Sequence, residues 1–278
     1  MKRNAIVRIV LYAMIAVLMV WILIAGISHK KYALPGIVVK RGSDAPQVHE
    51  NTFNFRDIDS LEVDWAAGDI TIIPADTNEI SVPEELSADQ KSMVLKQGGS
   101  AQYVEYCEDD FAFSLGSTGS KNLNITVPRE WVCQELEINA ASANLRAESL
   151  VIQKVRASTA SGTLRFENCA VDTLKMDTAS GDLDFSGALN ELQFDSASAH
   201  ANLILTNHPK SIKLDSLSGD LDLTLPKGCG FTLDKDSLSG SCIIEQDTTD
   251  RDGKLTHGDG ACEIEVDGLS ASLNIRQG

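Results

Sequence analysis

The residues best placed to do chemistry in this 278-residue chain are aspartates at a repeated interval. Asp177, Asp195, Asp215, Asp236 and Asp267 each stand three positions before a serine, where two earlier segments carry Asn139 and Ser158. Carboxylates presented at regular spacing can gather a hard cation such as calcium. They can equally stay a solvated row, because two charges about 5 Å apart repel by only ~0.8 kcal/mol in water and ~3 kcal/mol at an effective dielectric of 20. A solvated row that stabilises chain corners is the preferred reading.

Thr248–Asp259 partly matches a calcium loop, with Asp250, Asp252, Gly253 and Asp259 at its third, fifth, sixth and twelfth places. Thr248 holds the first place, where aspartate is expected, and both flanks read as strand, so a polar turn is preferred. Glycoside hydrolysis needs two carboxylates across a cleft, one with a raised pKa. Carboxylates abound, but Trp65 and Trp131 are the only tryptophans beyond the N-terminal apolar run, which makes a thin platform for sugar. His49, His200, His208 and His257 are scattered, without a nucleophile in register. No glycine-rich phosphate loop opens a helix. The cysteines Cys107, Cys133, Cys169, Cys229, Cys242 and Cys262 show neither a C-x-x-C pair nor zinc spacing, and read as small core residues. Their spacing names no disulfide and leaves the redox compartment open. No catalytic, cofactor-binding or metal-binding residue is therefore assigned, and no small-molecule ligand is named.

Charge narrows the partners. The formal net charge is −16 and the pI about 4.6. Met1–Lys31 has five basic residues and no acidic one, which leaves −21 on the remainder. Such a surface excludes phosphate-led nucleic-acid binding and opposes docking on anionic lipid. With aromatics at 5%, the core must be aliphatic.

The elements that carry these residues are repeats. Ser142, Ser161, Ser180, Ser198, Ser218, Ser239 and Ser270 are spaced by 19, 19, 18, 20, 21 and 31 residues, the last interval holding the polar insertion 247–260. Six before each serine stand Leu136, Val155, Leu174, Leu192, Ile212, Leu233 and Ile264. Four before stand Ile138, Ala157, Met176, Phe194, Leu214, Lys235 and Val266, with Lys235 attributed to two extra residues in that unit. Three after come Leu145, Leu164, Leu183, Ala201, Leu221, Cys242 and Leu273, and five after come Ala147, Phe166, Phe185, Leu203, Leu223, Ile244 and Ile275. Gly or Ala always follows the serine, and Leu61–Ile72 repeats the pattern upstream around Ala67. Alternation within each half is the period of a half-buried strand, and the parity change at the serine is a corner. Each unit thus reads as strand, corner, strand and a return of about seven residues, with the serines bonding the corners. Units this short cannot bury their own apolar face and must stack. The expected fold is all-β, a β-solenoid of single-stranded coils of about 19–21 residues, with an antiparallel sandwich as the rival.

Ile9–Ile27 is uncharged and apolar on every side, and as a helix would cover roughly 28 Å, enough to cross a bilayer. A retained transmembrane anchor is preferred to a cleaved signal, whose apolar stretch is shorter. Basic residues flank both ends, so charge does not set the orientation. The expected organisation is a cytoplasmic stub and anchor at 1–31, a linker at 32–52, and a solenoid domain at 53–278. Within it, 76–131 is irregular and reads as a cap, with Pro83–Lys91 as a short helix or surface loop.

The units LEVDWAAGDITI (Leu61–Ile72), MDTASGDLDF (Met176–Phe185) and LDSLSGDLDLTLP (Leu214–Pro226) carry a resemblance. So do LNITVP (Leu123–Pro128) and HGDGACEIEVDGLSASLNI (His257–Ile275). From about Phe53 to Gly278 the chain resembles the bacterial family of "putative adhesin" β-strand-repeat domains. Ala143, Ala199 and Ala271 depart from its glycine, and His200 from its aspartate. The resemblance implies a bacterial, membrane-attached, extracytoplasmic domain without established enzymatic chemistry, and a setting near envelope-stress systems. The expected function is a non-enzymatic, single-pass envelope protein that presents its solenoid to a wall component, a surface or a membrane protein. An accessory to a signalling membrane protein and a carbohydrate-active enzyme are the alternatives.

Overall fold

Side chains that alternate apolar and polar make each half-unit a strand with one wet face, and the repeat stacks these strands edge to edge. A computed structural model describes residues 47–49, 51–86, 93–105, 121–251 and 253–278 of the chain. The apolar run Ile9–Ile27, most of the linker and Cys107 lie outside the described residues. Among the described residues no helix is long and apolar enough to cross a membrane.

The described chain is all-β apart from a single 3-10 turn, Phe55–Asp57. Coil 1 is Ser60–Ala75 and coil 2 is Val132–Glu148. Val151–Leu205 then winds through coils 3, 4 and 5 as one 55-residue strand, and coil 6 is Ser211–Leu225. Coil 7 is Phe231–Ser239 with Cys242–Ile244, and coil 8 is Cys262–Gln277. The pairing is parallel and keeps the expected offsets: Ala67 faces Ser142, Ser161 faces Ser142, Ser198 faces Ser218, and Ser218 faces Ser270. The inward files are closed to water, as Leu145, Leu164, Leu183, Ala201, Leu221 and Leu273 show, none more than 2% exposed. Each fully buried aliphatic contributes roughly 1.5–3 kcal/mol before chain entropy is subtracted, so these files hold the coils together.

Three features differ from the sequence reading. First, the return is itself part of the sheet and adds a third inward file: Cys133, Ile152, Val171 and Leu189 are all buried, and Ile152 stacks on Cys133. Secondly, coil 7 does not stack on coil 6. Coil 8 lies between them, pairing with coil 6 on one side and with coil 7 on the other. Lys235 faces Val266 in unbroken register, so extra residues do not explain it. Coil 7 is the outermost rung, and a charge pointing inward at the last rung blunts an edge that would otherwise recruit strands.

Thirdly, the irregular section 76–131 contains a further rung beyond coil 1. Ala101–Glu105 pairs with the first half of coil 1, and Leu123–Pro128 with its second half. Coil 1 is thereby held between this split rung and coil 2. Val94–Gly98 lies antiparallel on Ala101–Glu105, and Glu79–Ser81 touches Leu123–Pro128 through Ser81. Glu84–Leu86 is a strand, paired with Gln47–His49, where a helix or loop was expected; residues 87–92 lie outside the described residues. At the other end, Lys254–His257 covers only Phe231–Leu233, and beyond Leu233 no further strand among the described residues meets the edge of coil 7.

Candidate functional site

The aspartate row forms along the outer face of the first half-coil. In stacking order it reads Asp64, Asn139, Ser158, Asp177, Asp195, Asp215, Asp267 and Asp236, so the exchange of coils 7 and 8 leaves five aspartates in unbroken succession. All five but the exposed Asp236 are half-buried. The row is partnered rather than bare. Asn139 Nδ2 donates to Asp64 Oδ1 at 2.9 Å, Lys175 Nζ lies 3.6 Å from Asp177, and Gln193 Nε2 donates to Asp195 at 2.8 Å. Burial, joined by the neighbouring Asp177 and opposed by the Gln193 amide, pushes the Asp195 carboxyl above its ordinary range. Basic residues interleave on the adjacent row, where Arg156 pairs with Glu135 and Lys213 with Glu265 at 3.0 Å, while Asp234 of that row meets Lys254 of the insertion at 3.0 Å. The face is therefore a mixed-charge lattice at the spacing of the coils.

The register serines bond some of the corners, Ser161 Oγ to Ser142 Oγ at 3.3 Å and Ser239 Oγ to the Leu269 carbonyl at 3.2 Å, but the shorter bonds come from other residues. Six of those seven serines are exposed, and Ser161 is half-buried. The shorter bonds fall to hydroxyls two positions earlier, where the chain has already turned inward. Thr159 Oγ1 donates to the Ser161 carbonyl at 2.6 Å, Gly181 N–H donates to Thr178 Oγ1 at 2.7 Å, and Ser196 Oγ bonds Ser216 Oγ at 2.8 Å. Polar side chains two positions after the serine cap the neighbouring coil. Asn144 Oδ1 accepts from Thr163 N–H at 3.0 Å, and Asp182 Oδ1 accepts from His200 N–H at 2.8 Å. The Ser-Gly-Asp pattern thus has a mechanical reading, with glycine for close approach and aspartate for a backbone cap.

At His200, where the pattern departs from aspartate, a shallow polar recess opens, lined by Asp182, Ser198, His200, Ser218 and Asp220. His200 Nε2 lies 3.5 Å from Asp222 Oδ2. Serine, histidine and carboxylate are thus neighbours here, which their scatter along the sequence concealed. No hydroxyl of the described residues hydrogen-bonds to His200, as a nucleophile and its base would.

The remaining candidates are placed apart from this face. The insertion is a hairpin, Thr249–Arg251 against Lys254–His257, in which Asp250 Oδ1 accepts from Gly253 N–H at 3.0 Å. Asp259 Oδ1 accepts from Ala261 N–H at 3.1 Å, so these carboxylates bond their own turns; Asp252 lies outside the described residues. His257 packs on Phe231 with ring centroids 5.5 Å apart, and His208 is exposed. Both tryptophans are buried and bond backbone carbonyls, Trp65 to Lys121 at 2.8 Å and Trp131 to Ile58 at 2.7 Å, which removes them as a sugar platform. Cys133, Cys169, Cys229 and Cys262 are buried as expected, whereas Cys242 is exposed on the outermost rung.

A family model described as Toastrack DUF4097 matches residues 58–203. A search of the curated proteins finds no match. Among solved structures, a "putative cell adhesion protein" from Clostridium sporogenes is similar with a TM-score of 0.41 and 10% identity, over 84% of this chain and 100% of that one. A "putative adhesin" from Bacteroides fragilis gives 0.42 and 9%, over 82% and 97%. A "putative lipid binding protein" from Parabacteroides distasonis gives 0.45 and 14%, over 84% and 98%.

Proposed function

This chain belongs to the Toastrack DUF4097 family, and from that premise we propose that it is a non-enzymatic envelope protein. Its β-solenoid stands outside the cytoplasm on a single-pass anchor and presents a rigid face to a protein or surface of the envelope. The observation that carries this reading is the outward lattice of Asp177, Asp195, Asp215, Asp267 and Asp236 with its interleaved lysines, repeated at coil spacing on rungs paired in parallel register. Solenoids use such extended repeating faces for binding. The apolar run Ile9–Ile27 supports the anchor.

Two experiments on intact cells test it. Added protease is expected to digest the 53–278 domain without lysis, and crosslinking is expected to join it to another envelope component. Digestion only after lysis contradicts the placement. A crosslinked product dominated by one signalling membrane protein assigns the partner to that class. Turnover of envelope polysaccharide by the purified chain overturns the non-enzymatic reading.

A further inference from the structure

Coil 7 reaches its place at the end of the stack through a turn at 226–230 that holds Cys229 firmly. Cys229 N–H donates to the Pro226 carbonyl at 3.1 Å, and its own carbonyl accepts from Gln277 Nε2 at 3.0 Å. On the neighbouring rung, Cys262 N–H donates to the Gly230 carbonyl at 3.1 Å, and Cys262 faces Phe231 in the ladder. The residue after Cys229 is thus bonded through its carbonyl to Cys262. Both side chains are buried, Cys229 in the turn that leads into coil 7 and Cys262 at the start of coil 8, each 1% exposed. Neither thiol has a strong partner, since each makes only a long contact to the next residue's carbonyl, 3.8 Å for Cys229 and 3.9 Å for Cys262.

We propose that Cys229 and Cys262 form a disulfide that fastens coil 7 to coil 8 in an oxidising compartment. The compartment rests on the envelope reading above; the pairing does not. The two thiols release two protons and two electrons as the sulfur–sulfur bond forms. A disulfide oxidant, either glutathione disulfide or a protein disulfide, accepts the electrons and becomes two thiols. Burial, with Cys229 close by, pushes the Cys262 thiol up to about 12, and burial raises Cys229 as well. Thiolates are the reacting species, so the bond forms before coil 7 docks or during its local opening. The other described cysteines are not so placed: Cys133 faces Ile152 across its ladder, Cys169 contacts the Ala147 carbonyl, and Cys242 is exposed.

The full chain in detergent, equilibrated with glutathione buffers of graded ratio in mild urea, alkylated and digested without reductant, tests the pairing. The expected product is a linked peptide pair containing Cys229 and Cys262 that separates on reduction. Reductant is also expected to lower the thermal midpoint by roughly 5–10 °C, and to have no such effect on a Cys229→Ala, Cys262→Ala double variant. Alkylation of both cysteines at every ratio, or linkage of either to Cys107 or Cys242, overturns the proposal, and this readout stands even where the double variant fails to fold. Alkylating intact cells separates the two readings. A pair that closes in buffer but is reduced in cells overturns the extracytoplasmic placement and not the pairing.

Discussion

Gly162 turns its corner at a φ of +111°, and a Cβ there would stand 2.2 Å from the Ala143 carbonyl oxygen of the rung below. Gly162→Ala is expected to cost about 2–3 kcal/mol, read as a lower urea midpoint. At the position where Asn144 and Asp182 cap the neighbouring coil, the His200 ring lies against Asp222 instead, and no such cap forms among the described residues. His200→Asn supplies a cap of the Asn144 kind without adding charge, and is expected to raise stability by about 0.5–1 kcal/mol in the same assay. Asp195 contributes a pH dependence. Its folded pKa is raised above the ordinary value, so its ionised form opposes folding at neutral pH, and that opposition fades as pH falls through the folded pKa towards the unfolded one. Asp195→Asn should therefore raise the denaturation midpoint at pH 7, with a gain that shrinks to nothing near pH 4; a gain that grew on acidification would contradict the raised pKa. These residue roles were partly legible in advance. The glycine and aspartate of corners such as Ser180-Gly181-Asp182 stand out by position, and position also points to the serines as the residues that bond the corner. Ser161 and Ser239 do so, but the shorter bonds come from the hydroxyls of Thr159, Thr178 and Ser216, whose inward placement follows from a turn that alternation alone does not reveal.

Among the elements, those with a repeat were readable and those without were not. Columns of Leu and Ile at fixed offsets specify register, because a one-residue slip would turn every inward side chain to water. Offsets do not say which rung lies beside which, since coils 6, 7 and 8 present the same pattern to any neighbour. The only residue-level sign was Lys235, whose charge is tolerable on an outermost rung and nowhere deeper. The irregular cap had no such signal, yet it holds the most demanding interaction of the described residues. Glu84 accepts from Lys121 Nζ at 3.2 Å and from Met93 N–H at 2.5 Å, with both charged side chains buried, and Lys121 Nζ lies 5.2 Å from the centroid of the Trp65 ring. Removing one partner strands the other's charge in the core. Glu84→Ala is expected to cost about 3–5 kcal/mol, and pairing it with Lys121→Met to recover part of that loss. An effect of Glu84→Ala below 1 kcal/mol would mean that the pair is solvated.

For the molecule as a whole, the exchange at each end changes how stability is distributed. A simple stack frays from its terminal rungs, because each has one neighbour. Here coil 1 has the split rung and coil 2 on its two sides, and coil 8 has coils 6 and 7. Amide hydrogen exchange in Cys262–Gln277 is therefore expected to be as slow as in Ser211–Leu225, with Asp234–Ser239 the fastest of the coil segments. Faster exchange in Cys262–Gln277 than in Asp234–Ser239 would contradict the stacking order.

The same exchange limits how a gene for this fold can lengthen or shorten. From coil 2 to coil 6 each repeat is translated in the order in which it stacks, so a duplication or deletion of one repeat within 151–205 leaves every junction between neighbours of the same kind. An extra copy placed beside 231–277 would have to thread between rungs already interleaved. Copy-number variants of this domain should accordingly differ in the middle of the reading frame, with both flanking blocks inherited whole.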